Sequence, residues 1–109
     1  MAVSPGYIAY VIEQLAELGP VTARKMFGGA GLYLDGLFFA LISSEDVFYL
    51  KVDEGNRARF EARGCAVFKP MPDRPALPYM TVPEDVLEDP QELADWARTS
   101  VEAAAKAKR

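Results

Sequence analysis

Leu34-Asp35-Gly36-Leu37-Phe38-Phe39-Ala40-Leu41-Ile42-Ser43-Ser44-Glu45-Asp46-Val47-Phe48-Tyr49-Leu50-Lys51-Val52 holds apolar runs separated by short polar joins, and its reading decides the fold. Asp35-Gly36 suits a two-residue hairpin, and Ser43-Ser44-Glu45-Asp46 is a second short join. Three β-rich segments, about Thr22–Leu34, Leu37–Ser43 and Val47–Val52, therefore follow one another as an antiparallel meander. In the third, Phe48, Leu50 and Val52 share one face while Tyr49 and Lys51 share the other, so one face packs and one is partly wet. Leu37-Phe38-Phe39-Ala40-Leu41-Ile42 is apolar on both faces. That pattern belongs to a central strand or to one whose outer face meets a partner.

On the N-terminal side, Ser4 before Pro5 offers a cap and a first helical residue. Ile8, Val11, Ile12, Leu15 and Leu18 then keep helical spacing until Gly19-Pro20. On the C-terminal side, Asp53 can cap a helix through about Arg63, closed by Gly64. Ala66-Val67-Phe68 and Tyr79-Met80-Thr81-Val82 read as two further strands around a loop holding Pro70, Pro72, Pro75 and Pro78. The last helix opens with Asp89, Pro90 and Glu92 and carries an inner stripe of Leu93, Trp96, Ala97, Val101 and Ala104. Lys106, Lys108 and Arg109 suit the negative end of its dipole. The expectation is one α+β domain over residues 1–109, with its elements in the order α-β-β-β-α-β-β-α.

Composition narrows the chemistry. The 109 residues include no histidine and one cysteine. Without histidine there is no Ser-His-Asp triad, no Cys-His dyad and no HExxH zinc site. Cys65 alone forms no internal disulfide, and nothing near it in sequence lowers its pKa. No segment reaches the eighteen apolar residues of a membrane span and no leader pattern stands at the N-terminus, so a reducing cytoplasm is the expected compartment. The net charge of −4 is unevenly spread. Residues 51–80 carry six basic against four acidic side chains, while residues 1–50 carry two against five and residues 81–109 four against seven.

Phe27-Gly28-Gly29-Ala30-Gly31 is the most unusual stretch. A dinucleotide fingerprint starting at Gly29 would need Gly or Ala where Leu34 stands, and no Gly-Lys-Ser/Thr follows for a P-loop. The favoured reading is a bulge or a close backbone approach within a strand, with a small anion or nucleotide at Gly28–Gly31 as the alternative. Arg24, Lys25, Lys51, Arg57, Arg59, Arg63, Lys69 and Arg74, near Phe27, Tyr33 and Tyr49, allow a second alternative, nucleic-acid binding through the basic middle third. The acidic run from Glu84 to Asp95 lacks calcium-loop spacing and belongs to helix first turns.

Val21-Thr22-Ala23-Arg24-Lys25-Met26-Phe27-Gly28-Gly29-Ala30-Gly31-Leu32-Tyr33-Leu34-Asp35-Gly36 is followed by Phe48-Tyr49-Leu50-Lys51-Val52-Asp53 and Asn56-Arg57, then by Tyr79-Met80, Val82-Pro83 and Asp89-Pro90. Together these resemble the N-terminal domain of the TfoX/Sxy competence-regulator family over about residues 8–105. The resemblance implies a bacterial cytoplasmic protein with a two-layer fold and a five-stranded antiparallel sheet. Two-domain members are regarded as positive regulators of DNA-uptake genes that act with the cyclic-AMP receptor protein. A chain ending at Arg109 leaves no room for their C-terminal domain, so the resemblance implies a single-domain member and carries regulator status only in part. It supplies no catalytic residue.

The functional expectation is a non-enzymatic regulatory or adaptor domain working by protein–protein contact in transcriptional control. Its partner is another protein, such as transcription machinery, or a second copy met through the sheet face or an edge strand. No cofactor, metal or membrane is expected. The candidate surface is Arg24, Lys25, Met26, Phe27, Gly28, Gly29, Gly31, Tyr33, Tyr49, Lys51 and Arg57.

Overall fold

Asp35 and Gly36 adopt φ of 51° and 77° and turn the chain tightly between two strands, as the local sequence demands. In the computed structural model, which describes residues 2–108, these are β2 (Gly29–Leu34) and β3 (Leu37–Ile42). They lie within one antiparallel sheet with β1 (Thr22–Met26), β4 (Phe48–Lys51) and β5 (Tyr79–Thr81), ordered β1-β2-β3-β4-β5. Leu37–Ile42 is the central strand, one of the two placements that its two-sided apolar pattern allows.

Register assigns the faces. Ala30, Leu32, Ala40, Ile42, Phe48, Leu50 and Met80 are linked by pairing and alternation, and all are buried in the main core cluster. Leu32 pairs with Ala40 but Tyr33 pairs with Phe38, leaving Phe39 as the extra residue of a β-bulge. Phe39 and Ala40 are both fully buried, whereas Phe38 remains on the opposite face with Leu41. The bulge thus lets β3 deliver a large aromatic to the core without breaking the alternation on either side.

Helices cover the core face. These are α1 (Pro5–Gln14), α2 (Arg57–Ala62), the single turn α3 (Glu84–Leu87) and α4 (Pro90–Ala107). The last packs across β3 and β4. Asp89 caps it by accepting from the amides of Gln91 and Glu92, with Pro90 at the first helical position, as the sequence implied. Leu93, Trp96, Ala97 and Ala104 are buried as expected; Val101 is half-buried, and Ala94, Ser100 and Ala103 join the inner stripe. Phe60 of α2 meets the Trp96 ring edge-on at 4.8 Å. After α2, Gly64 N donates to Glu61 O and Cys65 N to Phe60 O, which is a Schellman motif at the expected glycine.

Fold class, strand number and antiparallel pairing follow the sequence reading, but different segments supply the strands. Thr22–Leu34 is not one strand: Phe27 and Gly28, with φ of 49° and 80°, make a second tight hairpin turn that splits it into β1 and β2. Ala66–Phe68 is not a strand either, contributing one isolated bridge between Val67 and Met80. The order is therefore α-β-β-β-β-α-β-α-α. The second helix starts at Arg57 rather than after Asp53, whose carboxylate instead accepts from Gly55 N at 2.8 Å in a turn. Ser4 makes no side-chain cap; its backbone N donates to Asp46 Oδ1 at 2.8 Å. Arg109 lies outside the described residues, while Lys106 occupies the last turn of α4.

One polar cluster ties the two layers. The carbonyl of Lys51 at the end of β4 accepts from Ser100 Oγ at 2.8 Å and from Asn56 Nδ2 at 3.1 Å. Asn56, 6% exposed, also donates to Thr99 Oγ1 and accepts from Asp53 N. Each of these buried polar groups is thereby satisfied where β4 hands over to α2.

Candidate functional site

The face of the sheet turned away from α4 carries a row of rings. Tyr33 and Phe38 stack at 5.2 Å, Phe38 meets Tyr79 at 5.6 Å, and the Arg24 guanidinium and Lys51 ammonium close the two ends at 5.9 and 5.2 Å from the Tyr33 and Tyr79 centroids. Alternation along β1, β2, β3, β4 and β5 puts all five side chains on one face. The glycines make room for this row. A Cβ on Gly31 would sit 2.7 Å from the Met26 methyl and 2.9 Å from the Phe38 ring, and one on Gly29 would run into the Ile42 carbonyl. The close-approach reading of Phe27–Gly31 is therefore the observed one, with the bulge lying at Phe39 instead. Gly29 and Gly31 lie inside β2 between two strands, so the loop an anion cradle needs does not form there.

Beside the row lies an apolar groove of about 450 Å³. Met26, Leu41, Phe68, Pro70 and Leu77 line it, with Ser44 and Glu45 at its rim. The proline-rich loop forms one wall, held by Phe68 N donating to Tyr79 O and Leu77 N to Phe68 O, with the Phe68 ring 4.7 Å from Tyr49. At the lip stands Phe27, at the tip of its hairpin and 102% exposed, as open to water as an isolated residue. The hairpin itself is anchored, because Val3 N donates to Gly28 O at 2.7 Å. Phe27 has no packing role in the fold, and its φ of 49° is one that large side chains rarely adopt.

Burial pushes the phenols of Tyr49 and Tyr79 above the ordinary tyrosine value, with smaller contributions from Glu45 and Tyr33 respectively. Burial also raises the Cys65 thiol, against weaker lowering by a Thr81 hydrogen bond and Arg63. A thiol pushed in that direction is a poor nucleophile. Among the described residues no three acidic or cysteine side chains converge to hold a metal ion, and no helix is long and apolar enough to cross a membrane.

Of the eleven candidate residues, ten lie on the β1–β4 part of the sheet and its first hairpin. Arg57 does not: it opens α2, on the helix side. The other basic residues of the middle third diverge as well, with Arg59 over the Trp96 ring at 5.4 Å and Arg63 paired to Asp85 at 2.7 Å. Phe38, Leu41, Phe68 and Tyr79 belong to this face but were not among the candidates. For Phe38 and Leu41 the two-sided apolar strand was the available signal.

A family model described as the TfoX N-terminal domain matches residues 13–104, nearly the whole chain. The chain belongs to the TfoX N-terminal domain family. No individually curated protein matches it. The matched span includes the whole sheet, the Phe27 hairpin and most of α4. The aromatic row and the groove are therefore features of a TfoX N-terminal domain and not of an appended segment.

Proposed function

We propose that this TfoX N-terminal domain is a non-enzymatic regulatory or adaptor module that works by contacting another protein through the open sheet face. Its family supports a competence-related regulatory domain. The observation that carries the reading is Phe27: fully exposed, at positive φ, on the lip of an apolar groove. A fold gains nothing from an unpacked phenyl ring in a turn that favours Asn or Gly, whereas a contact surface gains a large apolar anchor.

The row of rings supports a protein partner over nucleic acid. Tyr33, Phe38 and Tyr79 face one another, and cations cover the outer ends, so no ring in the row offers a free face to a base. The test is Phe27→Asn, which suits the turn. The wild-type chain, immobilised in a bacterial lysate, should retain a protein that the variant loses while its unfolding midpoint holds or rises. An identical retained set from both would sink the reading, as would salt-sensitive binding of single-stranded DNA or RNA by the wild type alone.

A further inference from the structure

The sheet has two edges, finished differently. Beside β5 the segment around Val67 lies against the strand, with Phe68 N donating to Tyr79 O at 2.8 Å and Thr81 N to Ala66 O at 2.9 Å. Beside β1, no backbone group among the described residues bonds to the outer side. The hairpin at Phe27-Gly28 determines which groups stand open. In a two-residue hairpin the flanking pair, here Met26 and Gly29, exchanges hydrogen bonds. Arg24 and Thr22 then also face β2, and Ala23 and Lys25 turn their N–H and C=O groups outward. Residues 22–25 are all exposed.

Charge decides the occupant. Arg24 and Lys25 project from opposite faces of this edge, and β1 contains no acid. A second copy paired along the full strand would set the two Arg24 side chains opposite each other, which is unfavourable. An acidic segment instead sets one carboxylate beside Arg24 and the next beside Lys25. We propose that β1 is a strand-addition site for an extended acidic segment of a partner protein, bonded through the Ala23 and Lys25 backbones and selected by the Arg24 and Lys25 side chains. The inference rests on the protein-contact reading above and adds the mode of binding and the charge of the partner.

Two probes test it: synthetic threonine–valine peptides that carry adjacent pairs of glutamate, or adjacent pairs of lysine, so that both faces of the added strand are charged, titrated into the isotope-labelled full chain. The glutamate peptide should shift the Ala23 and Lys25 amides most and slow their hydrogen exchange, and the lysine peptide should bind at least about tenfold more weakly. Ala23→Pro removes one outward donor and leaves the β2 ladder intact, so it should abolish binding with the fold retained. Arg24→Glu combined with Lys25→Glu should invert the peptide preference, a readout that stands even where the proline variant fails to fold. Equal binding of both peptides, no inversion, or no response at Ala23 and Lys25 at about millimolar peptide overturns the proposal. Shifts confined to Leu41 and Phe68 in the groove overturn strand addition while leaving the protein-contact reading intact.

Discussion

The two tight hairpin turns share one backbone and differ in what they carry. Asp35-Gly36 and Phe27-Gly28 have φ of 51° and 77° against 49° and 80°, so each first residue occupies the left-handed region. Asp reaches that region at little cost, because its short side chain bonds locally; Phe does not. Their surroundings differ too. A Cβ at Gly36 would meet nothing within 4 Å, whereas β2 just after Phe27-Gly28 is so crowded that one at Gly29 meets the Ile42 backbone. One turn carries a residue that suits its backbone, while the other carries an unfavourable residue above tightly packed strands, which supports the contact surface proposed for it.

The largest expected effect breaks the comparison at the glycines. Gly29→Ala should destabilise by about 3 kcal/mol, because backbone rather than a flexible side chain stands in the way. Gly36→Ala should cost only the left-handed backbone, about 1–2 kcal/mol. Urea denaturation of both variants separates the two, and equal losses would mean that β2 and β3 can part without cost. Next comes the turn residue itself. Phe27→Asn should stabilise by about 1 kcal/mol and Asp35→Phe should destabilise by a similar amount, read as opposite shifts of the denaturation midpoint.

The smallest effect lies on the open face near these turns. The phenols of Tyr49 and Tyr79 are raised in the folded chain, so the unfolded chain releases those protons first. The stability they contribute is complete below the ordinary value of 10.0 and is lost as pH rises through the higher folded values. Denaturation midpoints measured upward from pH 10 should fall, and less steeply in Tyr79→Phe. An unchanged slope in that variant would place the alkaline sensitivity elsewhere.

Much of this architecture is legible in sequence because local chemistry and tertiary need agree there. Asp35-Gly36 turns, Leu37–Ile42 is central, Asp89 caps and Gly64 closes a helix, each for a reason contained within a few residues. The Phe27 turn is illegible for the opposite reason: Phe reads as strand and hides the boundary between β1 and β2. Ala66–Phe68 has strand composition, but Thr81 Oγ1 takes the Ala66 amide and a proline-rich loop follows, so only one bridge forms. Asn56 and Ser100 are polar and look like surface until Lys51, brought close by the fold, supplies their acceptor. The candidate face is legible in its charged and glycine residues and in Phe27, Tyr33 and Tyr49. Phe38 and Tyr79 are not, because they lie on strands far apart in sequence that only the register aligns.

The position of α4 also governs how the chain is made. The four-strand meander is complete once Lys51 has been synthesised, yet α4, which packs across β3 and β4, starts only at Pro90. At about 5–20 residues per second that interval is on the order of a few seconds, long compared with hairpin closure in microseconds. A sheet formed in that interval would leave Phe39, Ile42 and Leu50 without the helix that covers them in the folded chain. A chain cut before Pro90 is therefore expected to expose apolar surface and aggregate, and one that includes α4 is not.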